Sequence, residues 1–346
     1  MIILLGTKGQ VIKMAPVMKE LNNDFLYVQT YQQPGIIKEL ESALCVKPPD
    51  LILWNSSVGL TSMMDVLKWW RVCLIEVCKH RNLFQQEDTM VTHSDTMSTL
   101  MACIVARLFK LKLVHIEAGL RSYSFMHPFP EEIIRRIVSR YADILITPSD
   151  KAYNNLKEMP GKVINGKQNT VYDTLCDLKY KKRTGDKYAV MAIHRQETIY
   201  NALRFMRAVE TAHIIAENIK VKYILHESSK KKLKKYNFYQ GLLQNDNIEL
   251  LSYLNYSDFM NLVFNAEFVV TDGGGLQEET YYLNVPCLLL RDRTERQIGL
   301  NETAFLSGMD ETKIQEFLDN YKKYKRKSAF KRYYPSKKIA RYLLRI

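Results

Sequence analysis

Short aliphatic and β-branched runs alternate with longer amphipathic ones along nearly the whole chain, and the alternation occurs in two series. Such continuous apolar runs mark parallel strands, because helices cover both faces of their sheet. The first series predicts strands at 1–5, 25–29, 51–53, 90–92, 113–116 and 144–147, with helices such as 63–78, 97–109 and 131–141 between them. The second predicts strands at 188–193, 223–226, 249–251, 268–271 and 287–290, with helices at 202–216, 257–264 and 276–283. Repeated βα units imply doubly wound sheets, so the expected fold is α/β with two Rossmann-like domains. A chain of 346 residues suits two domains at roughly 150 residues each. The polar stretch 161–169 is the predicted break, which puts the N-terminal domain at 1–167 and the C-terminal domain at 168–334, before a last helix at about 335–346. Ile339, Tyr342, Leu343 and Ile346 recur there at roughly helical spacing and predict one buried side.

Composition excludes several classes. With 47% apolar and 25% charged residues, the chain is neither disordered nor of low complexity. No apolar run approaches the ~18 residues of a membrane span, and the first residues read as a buried strand rather than a signal peptide. The six cysteines lie scattered, with no CxxC pair and no His at ligand spacing, which predicts buried thiols in a reducing, cytoplasmic compartment and no metal site. The net charge of +13 is concentrated, since eleven Lys and Arg fall between Lys322 and Arg345 and no acid follows Asp319. A solvated terminal surface is the favoured reading of that stretch, ahead of contact with an anionic membrane. No nucleic-acid-binding signature accompanies it, so no nucleic-acid partner is expected.

Open α/β sheets bind ligands outside the carboxyl ends of their strands. After the first strand, Gly6-Thr7-Lys8-Gly9-Gln10 opens a helix carrying Lys13. Free backbone N–H groups at such a turn suit an anion, and Lys8 and Lys13 add charge. The turn is not GxGxxG, so no dinucleotide cofactor is expected. In the second series Asp272 precedes Gly273, Gly274 and Gly275, which allow close approach of a pyrophosphate; a Glu one turn into the helix suits ribose hydroxyls. Together these features predict a nucleotide diphosphate held in a cleft between the domains. Asp95 and Glu117 follow strands, and Glu131 opens a helix after Pro130. Carboxylates buried at such positions suit acid–base work, and His194 after the 188–193 strand suits a phosphate contact. Each has a plainer reading, Asp95 or Glu131 as a helix cap and His194 as a core histidine. Their common occurrence at strand ends favours a site.

The segments GTKGQVIKMAP, HSDTMST, HIEAGLRS, PFPEEIIRR, NTVYDTL, HRQET and TDGGGLQEE, with the later LRDRTER, resemble the UDP-N-acetylglucosamine 2-epimerase family, over about residues 2–308. The non-hydrolysing, cofactor-independent type is the most similar. The resemblance implies a GT-B-like pair of Rossmann domains, an active site in the interdomain cleft, and a C-terminal helix that crosses back to the first domain. It implies Asp95, Glu117 and Glu131 as acid–base carboxylates, His194 and Lys8 at the diphosphate, Glu279 at the ribose and Phe259 near the uracil. Lys13, Arg121, Gly273, Gly274 and Gly275 complete the implied substrate-binding set. The implied reaction is reversible C2 epimerisation of UDP-N-acetylglucosamine to UDP-N-acetylmannosamine through a 2-acetamidoglucal intermediate, without cofactor, by a cytoplasmic homodimer that supplies surface polysaccharide synthesis. Alternatives are a hydrolysing UDP-sugar 2-epimerase, an epimerase of a related diacetamido sugar, and a GT-B glycosyltransferase. The chain departs from the family pattern in several places. Lys8-Gly9-Gln10 stands where Arg-Pro-Glu is usual, Gly273 replaces a Ser, and Thr30–Pro34 does not match the effector segment.

Overall fold

The computed structural model describes residues 1–32, 34–56, 60, 62–123, 129–182, 185–326 and 331–346. Gln33 of the Thr30–Pro34 stretch, Pro128 of PFPEE and Lys327 of the basic stretch lie outside the described residues. The chain divides into two compact units, Met1–Cys176 with Arg332–Ile346, and Asp177–Lys331.

The first unit holds β1 (Ile2–Leu5), β2 (Leu26–Gln29), β3 (Leu51–Ile52), β4 (Thr89–His93), β5 (Lys112–Ile116), β6 (Ile144–Thr147) and β7 (Lys162–Asn165). They form one parallel sheet in the order β3-β2-β1-β4-β5-β6-β7. The second holds β8 (Tyr188–Ala192), β9 (Lys220–Ile224), β10 (Ile248–Leu251), β11 (Phe268–Thr271), β12 (Cys287–Leu289) and β13 (Ala304–Leu306), in the order β10-β9-β8-β11-β12-β13. Both follow the doubly wound plan, and chain direction across the sheet reverses between β1 and β4 and between β8 and β11. The central strands are buried throughout because helices pack on both faces. Trp69, Phe84, Met101 and Val138 build one core; Phe205, Tyr223, Phe268 and Phe317 build the other.

The 161–169 break is corrected. Lys162–Asn165 is the edge strand β7, polar because an edge strand keeps one side in water. The helix Val171–Asp177 follows, with Thr174 Oγ1 donating to the Ile12 carbonyl at 2.6 Å, so the boundary moves from 167/168 to 176/177. Strands β7 and β13 escaped prediction. Three of the cysteines expected to be buried, Cys45, Cys78 and Cys176, are exposed, and all six are free thiols. Burial pushes the Cys73 and Cys287 thiols up to about 12.

The chain returns to the first unit as the helix Pro335–Leu343, packed on Lys8–Glu20. Asp173 receives it: Oδ1 accepts from Arg332 Nε and Nη2 at 3.0 and 2.8 Å, and Oδ2 accepts from Ser336 N at 2.9 Å. Gln168 Oε1 accepts from Tyr333 N at 3.0 Å. Ile339 and Leu343 are buried as predicted, whereas Tyr342 is half-buried under Lys162 and Ile346 is exposed beyond the helix. Lys322, Lys323 and Lys325 are solvated, but Arg326 lies 4.4 Å from the Tyr281 ring and its N–H donates to Asn284 Oδ1. Ile339→Ala and Leu343→Ala should each cost about 2–4 kcal/mol in urea unfolding. Replacing Lys322, Lys323 and Lys325 by Gln should stay within about 0.5 kcal/mol. Equal effects of the two sets would contradict this packing.

Candidate active site

The turn after β1 is built by Gln10. Its Oε1 accepts from Gly6 N at 2.9 Å and Thr7 N at 3.1 Å, and its Nε2 donates to the His93 carbonyl at 2.6 Å. The residue that departs from the family's Glu therefore closes a capping box and ties the end of β1 to the end of β4. Gly6 is required there, since a Cβ would fall 1.9 Å from Thr30 Oγ1 and 2.0 Å from Ser98 Oγ. Lys8 begins the helix and is half-buried. One turn on, Lys13 is buried and forms an ion pair with Glu117.

Asp95 and Glu117 leave the adjacent strands β4 and β5, whose registers pair His93 with Ile116. Ser94 and Glu117 both adopt left-handed backbone, with φ of 66° and 62°, which turns the chain sharply at the carboxyl ends of these two interior strands. Ser94 N donates to the Ile116 carbonyl at 2.9 Å, and His115 Nε2 lies 2.6 Å from the Ser94 carbonyl. Glu117 is buried. Besides Lys13 it accepts from Asn169 Nδ2, and His93 Nδ1 lies 3.9 Å from it. His93, Glu117, Asn169 and Ile339 of the terminal helix line one small crevice. Asp95 Oδ2 is paired with Arg135, and Oδ1 accepts from Ser94 Oγ at 2.9 Å. Glu131 opens the helix Glu131–Tyr141 that carries Arg135, so the third carboxylate is one turn from the cation on the first. Arg121 is buried. It donates to the Leu120 carbonyl and lies 3.4 Å from Ser139 Oγ, and burial holds its guanidinium below the usual range.

In the second unit, Asp272 ties the end of β11 to the end of β8. Wholly buried, its Oδ1 accepts from His194 N at 3.1 Å and its Oδ2 from Arg195 N at 2.9 Å. Burial raises its carboxyl above the ordinary value despite these donors. The His194 Nδ1 lies 3.7 Å from the same carboxylate, and its ring packs 4.7 Å from that of His226. Gly273 caps the helix Gly274–Leu283, and a Cβ on it would approach His194 Cε1 to 2.9 Å. The missing serine side chain thus leaves the space that the imidazole occupies. A Cβ on Gly274 would meet Glu295 Oε1 at 2.6 Å, while Gly275 faces open space. Glu279 accepts from Tyr256 Oη at 2.9 Å, and Phe259 stands one turn further along the helix Tyr256–Phe264.

The predicted residues therefore fall into groups at strand ends. In the first unit they are Lys13 with Glu117, and Asp95 with the Glu131 helix. In the second they are His194 with Gly273, and Glu279 with the Phe259 helix. Sequence reasoning missed Asp272, Arg135, Glu132, Asn169 and His115. Asp272 lay within the recognised TDGGG segment, and Asn169 opened NTVYDTL, so motif membership was the available signal. Among the described residues no group of three or more His, Cys, Asp or Glu could hold a metal ion, and no helix is long and apolar enough to cross a membrane.

Two Rossmann-like units, with carboxylates at the strand ends of one and a glycine turn at a helix N-terminus in the other, define an α/β protein of the doubly wound class. The family model for UDP-N-acetylglucosamine 2-epimerase matches residues 74–344. The UDP-N-acetylglucosamine 2-epimerase of Methanocaldococcus jannaschii is 31% identical, over 86% of this chain and 86% of that protein. That of Methanococcus maripaludis is 32% identical, over 90% and 88%. The crystal structure of the M. jannaschii enzyme in complex with UDP-GlcNAc and UDP superposes with a TM-score of 0.87 at 29% identity, covering 99% of both chains. The Neisseria meningitidis enzyme bound to UDP-GlcNAc gives 0.84 at 26% identity, covering 100% and 99%. The chain belongs to the UDP-N-acetylglucosamine 2-epimerase family.

The His115 environment makes a prediction about pH. Burial lowers its imidazole from 6.5 to about 4, so the unfolded chain binds a proton in that window that the folded chain does not. Stability should accordingly fall as pH drops from about 6.5 to 4, by on the order of 3 kcal/mol from this group. His115→Gln should flatten that part of the stability–pH curve measured by urea unfolding. An unchanged slope would remove His115 as its source.

Proposed function

We propose that this protein is a non-hydrolysing, cofactor-independent epimerase that interconverts UDP-N-acetylglucosamine and UDP-N-acetylmannosamine. The observation that carries the reading is the pair of carboxylates leaving neighbouring strands, Asp95 against Arg135 and Glu117 against Lys13. The C2 hydrogen of the sugar is not next to a carbonyl, so simple enolisation is closed to it. In the proposed reaction one carboxylate takes the C2 proton, the C–H electrons form the C1=C2 double bond, and the C1–O bond breaks with its electrons leaving on UDP. The 2-acetamidoglucal and UDP stay bound. Return of UDP to C1 with protonation of the opposite face of C2 inverts that centre. Asp95, Glu117 and Glu131 are the proposed acid–base groups. His194, Lys8 and the Gly273–Gly275 turn are proposed to hold the diphosphate, with backbone N–H groups offset against its charge. Glu279, oriented by Tyr256, is proposed for the ribose and Phe259 for the base.

Product formation from UDP-N-acetylglucosamine in deuterated water, followed by proton NMR, tests this reading. Intact UDP-N-acetylmannosamine carrying deuterium at C2 is expected. Free N-acetylmannosamine with UDP would replace it by hydrolysis, and turnover only with an added acceptor would replace it by glycosyl transfer. Asp95→Asn, Glu117→Gln and Glu131→Gln should each lower kcat by at least ~100-fold with little change in UDP affinity. Wild-type turnover in any of them removes that residue from the assignment.

A further inference from the structure

We propose that Glu132 is a positioning residue for Asp95, acting through a shared hold on Arg135. The proposal rests on the epimerase reading for the role of Asp95, but its geometry stands alone. The Arg135 guanidinium is buried between two carboxylates: Nη1 donates to Glu132 Oε2 at 3.1 Å and Nη2 contacts Asp95 Oδ2. Glu132 is fully buried, and its other contacts fix it from two further directions. Ser122 N and Oγ donate to Oε2 at 3.0 and 3.2 Å, and Arg136 Nε donates to Oε1 at 3.1 Å.

A carboxylate without access to water is costly unless every lone pair is used, and a single partner does not suffice. The helix Glu131–Tyr141 solves this with the i,i+3 and i,i+4 neighbours Arg135 and Arg136, both on the side of Glu132. A guanidinium is planar, so fixing Nη1 also fixes the direction of Nη2. Asp95 is thereby gripped on one oxygen by a preset donor and on the other by Ser94 Oγ. Glu132 divides the Arg135 charge, leaving Asp95 only part of it. Among the described residues, the charged and titratable groups placed around Asp95 are Arg135 and, behind it, Glu132 and Arg136; Glu131 one turn before Arg135; and His115 on β5, which faces Asp95, Arg121 and Glu117. His115 is neutral near pH 7, so it does not share in this division.

Two variants separate positioning from mere structural support. Glu132→Gln keeps the shape and an acceptor but returns the whole Arg135 charge to Asp95. It should lower kcat for UDP-N-acetylglucosamine by about 10–100-fold with KM within about threefold. Arg135→Lys keeps the charge but loses the two-sided hold. It should lower kcat by at least about tenfold. The midpoint of the Asp95 carboxylate titration, followed by 13C NMR in both variants, reads the same division without turnover. Folded Glu132→Gln protein with an unmoved midpoint, or Arg135→Lys protein with wild-type kcat, overturns the proposal. If Glu132→Gln does not fold, Arg135→Lys decides alone. Wild-type protein that does not exchange the C2 hydrogen would overturn the epimerase reading, and the NMR midpoint would still decide the positioning of Asp95.

Discussion

Burying the Glu117 carboxylate is the constraint on which the first unit is organised. The residue lies at the end of β5 in left-handed backbone, where the chain turns its side chain into the protein rather than outward. An uncompensated carboxylate there would be strongly destabilising, so its donors are obligatory. They come from separate parts of the chain: Lys13 from the first helix, and Asn169 from beyond β7. His93 from β4 and Ile339 from the last helix close the surroundings. A buried ion pair is a poor source of net stability, but it is sensitive to misplacement, and this one specifies where four segments must meet. The terminal helix is therefore part of the site's foundation as well as a cover for the sheet.

The second unit meets the same topological demand by another route. There the carboxylate at the sheet's reversal point, Asp272, is satisfied by backbone N–H groups of His194 and Arg195 instead of by a cation. Main-chain donors hold the strand end itself, which leaves the His194 side chain oriented but half-exposed. Gly273 then has a specific role. A Cβ at that position would come within 2.9 Å of His194 Cε1, so a side chain there would require the half-exposed imidazole to shift.

Much of this was legible because parallel strands and amphipathic helices have distinct apolar periods, and because functional residues of such sheets follow the strands. The central strands and long helices carried those periods; β7 and β13 did not. β7 is an exposed edge with Lys162 outermost, and β13 is a three-residue strand. The domain boundary was displaced for the same reason, since a polar edge strand and a linker have similar composition. Asp95, Glu117 and His194 could be chosen by position alone, but their partners could not. Arg135 stands 40 residues after Asp95 and Asn169 stands 52 after Glu117, separations fixed only by the sheet order.

The paired arrangement also bears on reversibility. Epimerisation by removal and return of a proton asks the site to hold the proton on one face of the sugar and then on the other, without a deep energy difference between the two. Two carboxylates in direct contact would couple as like charges and bind a single proton between them. Here each is set against its own cation, Arg135 for Asp95 and Lys13 for Glu117, on neighbouring strands of a rigid sheet. Glu132 adds a further adjustment at Asp95 by drawing off part of the Arg135 charge, whereas Asn169, a neutral donor, draws none from Lys13. The two carboxylates thus differ in the electrostatics of their holders while sharing the geometry of their strands, an asymmetry that suits the distinct acid and base roles proposed for them.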